Sequence, residues 1–116
     1  MDVTIDQLDE RTACVAISGN VEMGEPPRLE ELLRSLLVAG VRRLVVDLSE
    51  VPFLNSKLLD TLVRISASID PADGGVAVLT AQTYVRHMLE VTEAGGVLLL
   101  EDSKDAALAA LEPAPG

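Results

Sequence analysis

The sequence of 116 residues is poor in aromatic side chains and cysteine. Aromatic residues make up 2% of it, as Phe53 and Tyr84, and there is no tryptophan. A single-stranded nucleic-acid site built from stacked aromatic rings is therefore not expected. The one cysteine, Cys14, cannot form an internal disulfide and is interpreted as a small packing residue within a strand.

Basic residues are also scarce, with 9 lysines and arginines against 19 aspartates and glutamates, so that the formal net charge is −10. A protein that binds duplex DNA needs a basic surface, which this composition does not supply. An acidic surface favours solubility and a partner with a basic patch. The sequence shows neither a signal peptide nor an apolar run long enough to insert into a membrane, and we interpret it as a cytoplasmic protein.

Residues for catalysis do not occur in a recognisable arrangement. The only histidine, His87, follows Arg86 on a predicted helix and is expected to face solvent. Nucleophilic hydrolysis needs a base and an orienting group, and Ser56 has no G-x-S-x-G sequence around it. The sequence contains neither a Cys/His metal-ligand pattern nor a glycine-rich loop for phosphates or dinucleotides. We therefore expect no enzymatic activity, no metal and no cofactor.

Hydrophobic residues, almost all aliphatic, make up 48% of the chain. Their spacing predicts one α/β domain over residues 1–116, with a flexible tail at 112–116. The predicted order ββαβαβαβα gives an N-terminal β-hairpin joined to a mostly parallel sheet of 4–5 strands with about four helices. The strands are predicted at 3–8, 12–18, 44–48, 76–80 and 97–100. The helices are predicted from Pro26 to a cap at Gly40, at 56–69 and 82–93, and after a cap at Asp102 and Ser103.

Helical spacing also predicts which side chains face the core. The first helix buries leucines in one stripe, namely Leu29, Leu32, Leu33, Leu36 and Leu37. The second helix buries Leu58, Leu59, Leu62, Val63 and Ala67. The last helix is predicted to be short and to run through Ala106, Leu108 and Leu111.

The segment LVVDLSEVPFLNSKLLDTLV, residues 44–63, carries the main functional signal. A buried strand and a short apolar loop are followed by Asn55 and Ser56 at the start of a helix, where anions and ligands collect in open α/β sheets. Two interpretations remain open. In the first, Asn55 caps the helix and Ser56 has no further role. In the second, Ser56 is a phosphorylation site. The helix amides tolerate the phosphate dianion, whereas a partner docked beside Leu54 and Leu58 would not tolerate it.

The sequence resembles the STAS domain family, and within it the bacterial anti-sigma-factor antagonists. The resemblance rests on IxGNVEM at 17–23 and VVDLSEVPFLNS at 45–56, with weaker matches at 74–96 and 102–111. It implies a STAS fold and partner switching. In such a mechanism the unphosphorylated protein binds an anti-sigma factor that is often a serine protein kinase, and the sigma factor is released to transcription. Phosphorylation of the serine at the position of Ser56 reverses this.

The resemblance implies a phosphoprotein that is a monomer or weak dimer and makes no direct contact with nucleic acid. Its implied partner-binding residues are Asn20, Glu22, Met23, Leu54, Asn55, Ser56, Lys57 and Leu58. Where the family has D-S-S/T-G, this sequence has Asn55, Ser56, Lys57 and Leu58. These differences keep an alternative open, a STAS protein that is not switched and serves as a scaffold in a stress complex or as an accessory subunit of a lipid transporter.

Overall fold

The computed structural model describes residues 1–22, 24–52, 56–80, 87 and 98–111. Its strands form one sheet in chain order, in which β1 is antiparallel to β2 and each later strand is parallel to the one before it. The predicted N-terminal hairpin and mostly parallel sheet are therefore confirmed. The strands are β1 (Asp2–Gln7), β2 (Thr12–Ser18), β3 (Arg43–Glu50), β4 (Gly75–Leu79) and β5 (Leu99–Glu101).

Three helices occur among the described residues, α1 (Pro26–Val38), α2 (Ser56–Ala67) and α3 (Lys104–Leu111). Because the parallel strands follow one another in chain order, right-handed crossovers place α1 and α2 on the same face of the sheet. The helix predicted at 82–93 lies outside the described residues except for His87, which is helical and exposed. In the part of the chain that is described, no helix has both the length and the apolar character needed to span a bilayer.

The ends of α1 and α3 match the sequence signals. Pro26 opens α1, and Gly40 follows its last turn with a φ of +112°, a left-handed conformation that favours glycine. The N–H groups of Gly40 and Val41 donate to the carbonyls of Leu37 and Leu36 at 3.1 and 3.0 Å, which closes a Schellman motif. At the start of α3, Ser103 Oγ accepts a hydrogen bond of 3.1 Å from Ala106 N, as predicted for a cap.

Aliphatic side chains fill both faces of the sheet. The larger cluster lies under α1 and α2 and includes Ala13, Val15, Ile17, Leu29, Leu33, Leu44, Val46, Leu48, Leu58, Leu62, Ile65, Val76 and Val78. The smaller cluster lies under α3 and contains Cys14, Val45, Ala77, Leu79, Ala107 and Leu111. β3 contributes to both clusters, so the prediction that it is covered on both faces is confirmed.

Two positions predicted to be buried are exposed. Ala67 faces solvent, because the buried stripe of α2 runs through Leu62 and Ile65 instead. Leu99, within the predicted buried run at 97–100, is 41% exposed because β5 is an edge strand.

Candidate functional site

Two loops meet at the carboxyl edge of β2 and β3. Residues 19–25 connect β2 to α1, and residues 51–55 connect β3 to α2. Gly19 has a φ of +84°, and its N–H donates to the carbonyl of Glu50 at 3.1 Å. This bond ties the start of the first loop to the last residue of β3, only a few residues before α2 begins.

Side-chain contacts between α1 and α2 place the starts of both helices at the same edge. Glu30 Oε1 lies 3.3 Å from Arg64 Nη2, and Arg34 Nη1 donates to Ser68 Oγ at 3.2 Å. The contacts advance by four residues along α1 and by four residues from Arg64 to Ser68, which directly follows α2, so the helices run side by side in the same direction. These groups are partly exposed and contribute little to stability, but their positions show how the two helices are aligned.

Ser56 is the first residue of α2, and both it and Lys57 are exposed. The first turn of α2 contains no acidic residue. A helix N-terminus presents unpaired N–H groups and the positive end of the helix dipole. A negative charge on the Ser56 side chain would therefore meet a favourable electrostatic environment in the folded protein.

A tight turn ends the loop between β2 and α1. Glu25 N donates to the carbonyl of Glu22 at 3.0 Å, and Glu22 N donates in return to Glu25 Oε2 at 2.9 Å. The amino group of Met1 donates to Glu25 Oε1 at 3.3 Å. The pKa of the Glu25 carboxyl is lowered, first because it accepts the Glu22 N–H and also because the Met1 ammonium lies close to it.

Of the residues expected at a partner surface, four are exposed and one is buried. Asn20, Glu22, Ser56 and Lys57 are exposed and belong to the two segments that meet at this edge. Leu58 is fully buried in the core cluster, so its side chain is not a candidate for surface contact. The remaining expected residues, Met23, Leu54 and Asn55, lie outside the described residues.

Glu25 is the residue of this edge that the sequence did not indicate. Its contact with Met1 joins residues 24 positions apart, and such a contact leaves no local pattern. The only signal is its position directly before Pro26 and Pro27, where an acidic residue suits the start of a helix.

The described residues hold no group of three or more histidine, cysteine or acidic side chains arranged to bind a metal ion. Cys14 lies in the cluster under α3, and burial raises the pKa of its thiol. A thiol of this kind is a poor nucleophile at neutral pH. The exposed groups at the carboxyl edge of β2 and β3 include the hydroxyl of Ser56 and the side chains of Asn20, Glu22 and Lys57.

This arrangement of sheet, helices and loops is that of a STAS domain. Residues 5–101 match the family model described as "Mlab, STAS domain", and the chain belongs to that family. BtrV of Bordetella bronchiseptica, a proposed anti-sigma factor antagonist, is 25% identical over 115 residues, which cover 98% of this chain and 97% of BtrV.

Solved structures agree with this family assignment. The crystal structure of an anti-sigma factor antagonist from Mycobacterium paratuberculosis has a TM-score of 0.83 and 25% identity, covering 95% of this chain and 92% of that chain. The Bacillus cell fate determinant SpoIIAA in its phosphorylated form has a TM-score of 0.72, covering 94% of this chain and 98% of that one. At 9% identity, the likeness to SpoIIAA shows a shared fold alone.

Proposed function

We propose that this protein is an anti-sigma-factor antagonist that binds an anti-sigma factor with serine kinase activity and is switched off by phosphorylation of Ser56. The observation that carries the proposal is the exposed Ser56 at the first residue of α2. The similarity to BtrV and to the mycobacterial antagonist over nearly the whole chain supports the choice of partner.

The switch follows from the different surroundings of Ser56 before and after a partner binds. A phosphoserine carries roughly −1.5 to −2 charges at pH 7. In the free protein this charge meets solvent and the N-terminal amides of α2, so the fold tolerates it. A partner docked over the same surface would have to bury the dianion, at a desolvation penalty of several kcal/mol. Phosphorylation therefore removes binding without unfolding the protein.

The proposed partner surface is formed by the loop before α1 and the start of α2. Its described members are the exposed residues Asn20, Glu22, Ser56 and Lys57. Met23, Leu54 and Asn55 are proposed as further members from the resemblance alone. The protein would act as a binding module in the cytoplasm, as a monomer or weak dimer, without enzymatic activity and without direct contact to nucleic acid.

The test is phosphorylation and binding with the cognate anti-sigma kinase. Wild type, Ser56→Ala and Ser35→Ala are incubated with kinase and ATP and analysed by mass spectrometry. Ser35 is the matched control, an exposed serine on α1 whose hydroxyl donates to the Glu31 carbonyl at 2.9 Å. We expect phosphate on wild type and Ser35→Ala but not on Ser56→Ala. Absence of both Ser56-dependent phosphate and anti-sigma binding would refute the proposal.

Calorimetric titration of Ser56→Asp with the anti-sigma factor measures binding, and thermal melting of the same variant measures folding. We expect its affinity for the anti-sigma factor to fall, while its stability stays the same or rises by about 0.3–1 kcal/mol because a negative charge is favourable at a helix start. A large fall in its melting temperature would show that the charge disturbs the fold, which would contradict the mechanism.

A second candidate is a STAS subunit that is not switched, either a scaffold in a stress complex or an accessory subunit of a lipid transporter. The residues after Ser56 favour it, because Lys57 and Leu58 replace the usual Ser/Thr and Gly of the antagonists. Purification from the native cell distinguishes the two. A transport ATPase in the co-purified material supports the subunit, whereas a kinase that modifies Ser56 supports the antagonist.

A further inference from the structure

In the loop between β2 and α1, the Glu25 carboxylate contacts two other residues. Both of its carboxylate oxygens have partners, Glu22 N at 2.9 Å and the Met1 amino group at 3.3 Å. Its own backbone also takes part, because Glu25 N donates to Glu22 O at 3.0 Å. Two hydrogen bonds therefore close the turn between Glu22 and Glu25, and the ion pair with Met1 anchors that turn to the segment that begins β1.

The opposite end of the same loop is fixed independently. Gly19 N donates to the carbonyl of Glu50 at 3.1 Å, and Val21 is buried between the two fixed points. Asn20 and Glu22 are left as exposed side chains on a backbone held at both ends. Fixing a loop before binding reduces the entropy lost when a partner docks.

We propose that Glu25 is a positioning residue for partner binding, which holds Glu22 and the neighbouring loop in the conformation that the partner recognises. This inference rests on the proposed function, because the partner is the anti-sigma factor that also contacts Ser56. Glu25 acts on the partner surface through the turn. For partner binding, we therefore expect an oxygen that accepts the Glu22 N–H to matter more than the negative charge of the carboxylate.

Three variants separate positioning from charge. Glu25→Ala removes both oxygens, whereas Glu25→Gln keeps an oxygen that can accept the Glu22 N–H. Glu31→Ala is the matched control, because it removes one negative charge from an exposed position on α1. The first readout is affinity for the anti-sigma factor. The second is hydrogen exchange of the Glu22 amide, with core amides of β3 as the internal reference.

We expect Glu25→Ala to bind about fivefold to tenfold more weakly than wild type, as loss of a hydrogen bond that orders a binding loop implies. Its Glu22 amide should exchange faster while the β3 amides remain protected. Glu25→Gln should recover most of the affinity, and Glu31→Ala should bind like wild type.

Two binding results would overturn the inference. Wild-type affinity in Glu25→Ala would show that the turn need not be held, and equal weakness in Glu25→Gln and Glu25→Ala would show that the charge itself meets the partner. If wild type does not bind the anti-sigma factor, the proposed function fails and the exchange experiment alone decides. Faster exchange of Glu22 in Glu25→Ala then supports Glu25 as the residue that orders the turn, and unchanged exchange rejects it.

Discussion

The segment before β4 leaves no space for a side chain, and Gly74 there provides a sharp test of the packing. A Cβ at Gly74 would overlap the carbonyl oxygen of Arg42 and lie 2.8 Å from its carbonyl carbon and 2.9 Å from Arg43 Cγ. The same oxygen accepts the N–H of Gly75 at 3.0 Å, at the start of the pairing between β3 and β4. An alanine at position 74 must therefore push the backbone away from Arg42.

We expect Gly74→Ala to lower the free energy of unfolding by about 2–4 kcal/mol. Overpacking contributes about 1–3 kcal/mol, and weakening of the hydrogen bond to Gly75 contributes about 1 kcal/mol. Gly75→Ala is the matched control, because its Cβ would lie 3.6 Å from Leu111 Cδ2, an ordinary contact. It should change stability by less than about 1 kcal/mol. Urea denaturation followed by circular dichroism measures both, and equal stability of the two variants would refute the argument.

Three further predictions concern the core. Thr61 is 1% exposed, and its Oγ1 has no hydrogen-bond partner among the residues that the structure describes. Thr61→Val should therefore raise the melting temperature by removing a desolvation penalty of about 1 kcal/mol, and a less stable variant would contradict this. Leu33→Ala should lower the free energy of unfolding by about 3 kcal/mol, because it leaves a cavity at a fully buried site. In the same denaturation assay Val38→Ala, at an 89% exposed position, should lower it by under about 0.5 kcal/mol. Burial raises the pKa of the Cys14 thiol. The stability that the buried neutral thiol contributes is therefore complete below the ordinary thiol pKa of about 8.5, and it is lost as the pH rises through the raised pKa. The free energy of unfolding, measured at a series of alkaline pH values, should fall more steeply for wild type than for Cys14→Ala. Parallel curves would contradict the raised pKa of Cys14.

Local patterns predicted the strands and helices that the structure describes, and they failed where other elements decide burial. The leucine stripe and the glycine cap of α1 are signals within one turn or two, and they predicted its extent and inward face. Thr61 and Ser66 are polar and nevertheless buried, because burial depends on what packs against α2 rather than on residue type. Leu99 is exposed because of its place at the edge of the sheet, and strand order is not visible in a short apolar run.

At the candidate site too, local patterns predicted some features, whereas contacts between distant residues could not be predicted. The position of Ser56 at the start of α2 could be predicted because a strand, a loop and a helix follow one another in the sequence. The turn at Glu22 and Glu25 could not, since the ion pair that anchors it involves Met1. The switch hypothesis placed Leu58 beside a docked partner, although its helical spacing already predicted an inward position, and the structure agrees with the spacing.

The start of α2 places binding and folding on different side chains. Ser56 and Lys57 are exposed, whereas Leu58 is fully buried among residues of the sheet and helices. A charge on Ser56 acts on the fold only through the helix N-terminus, where its sign is favourable. A loss of binding in Ser56→Asp would therefore not arise from unfolding. In Leu58→Ala, by contrast, a loss of binding would reflect a core cavity, since the side chain that is removed lies out of a partner's reach.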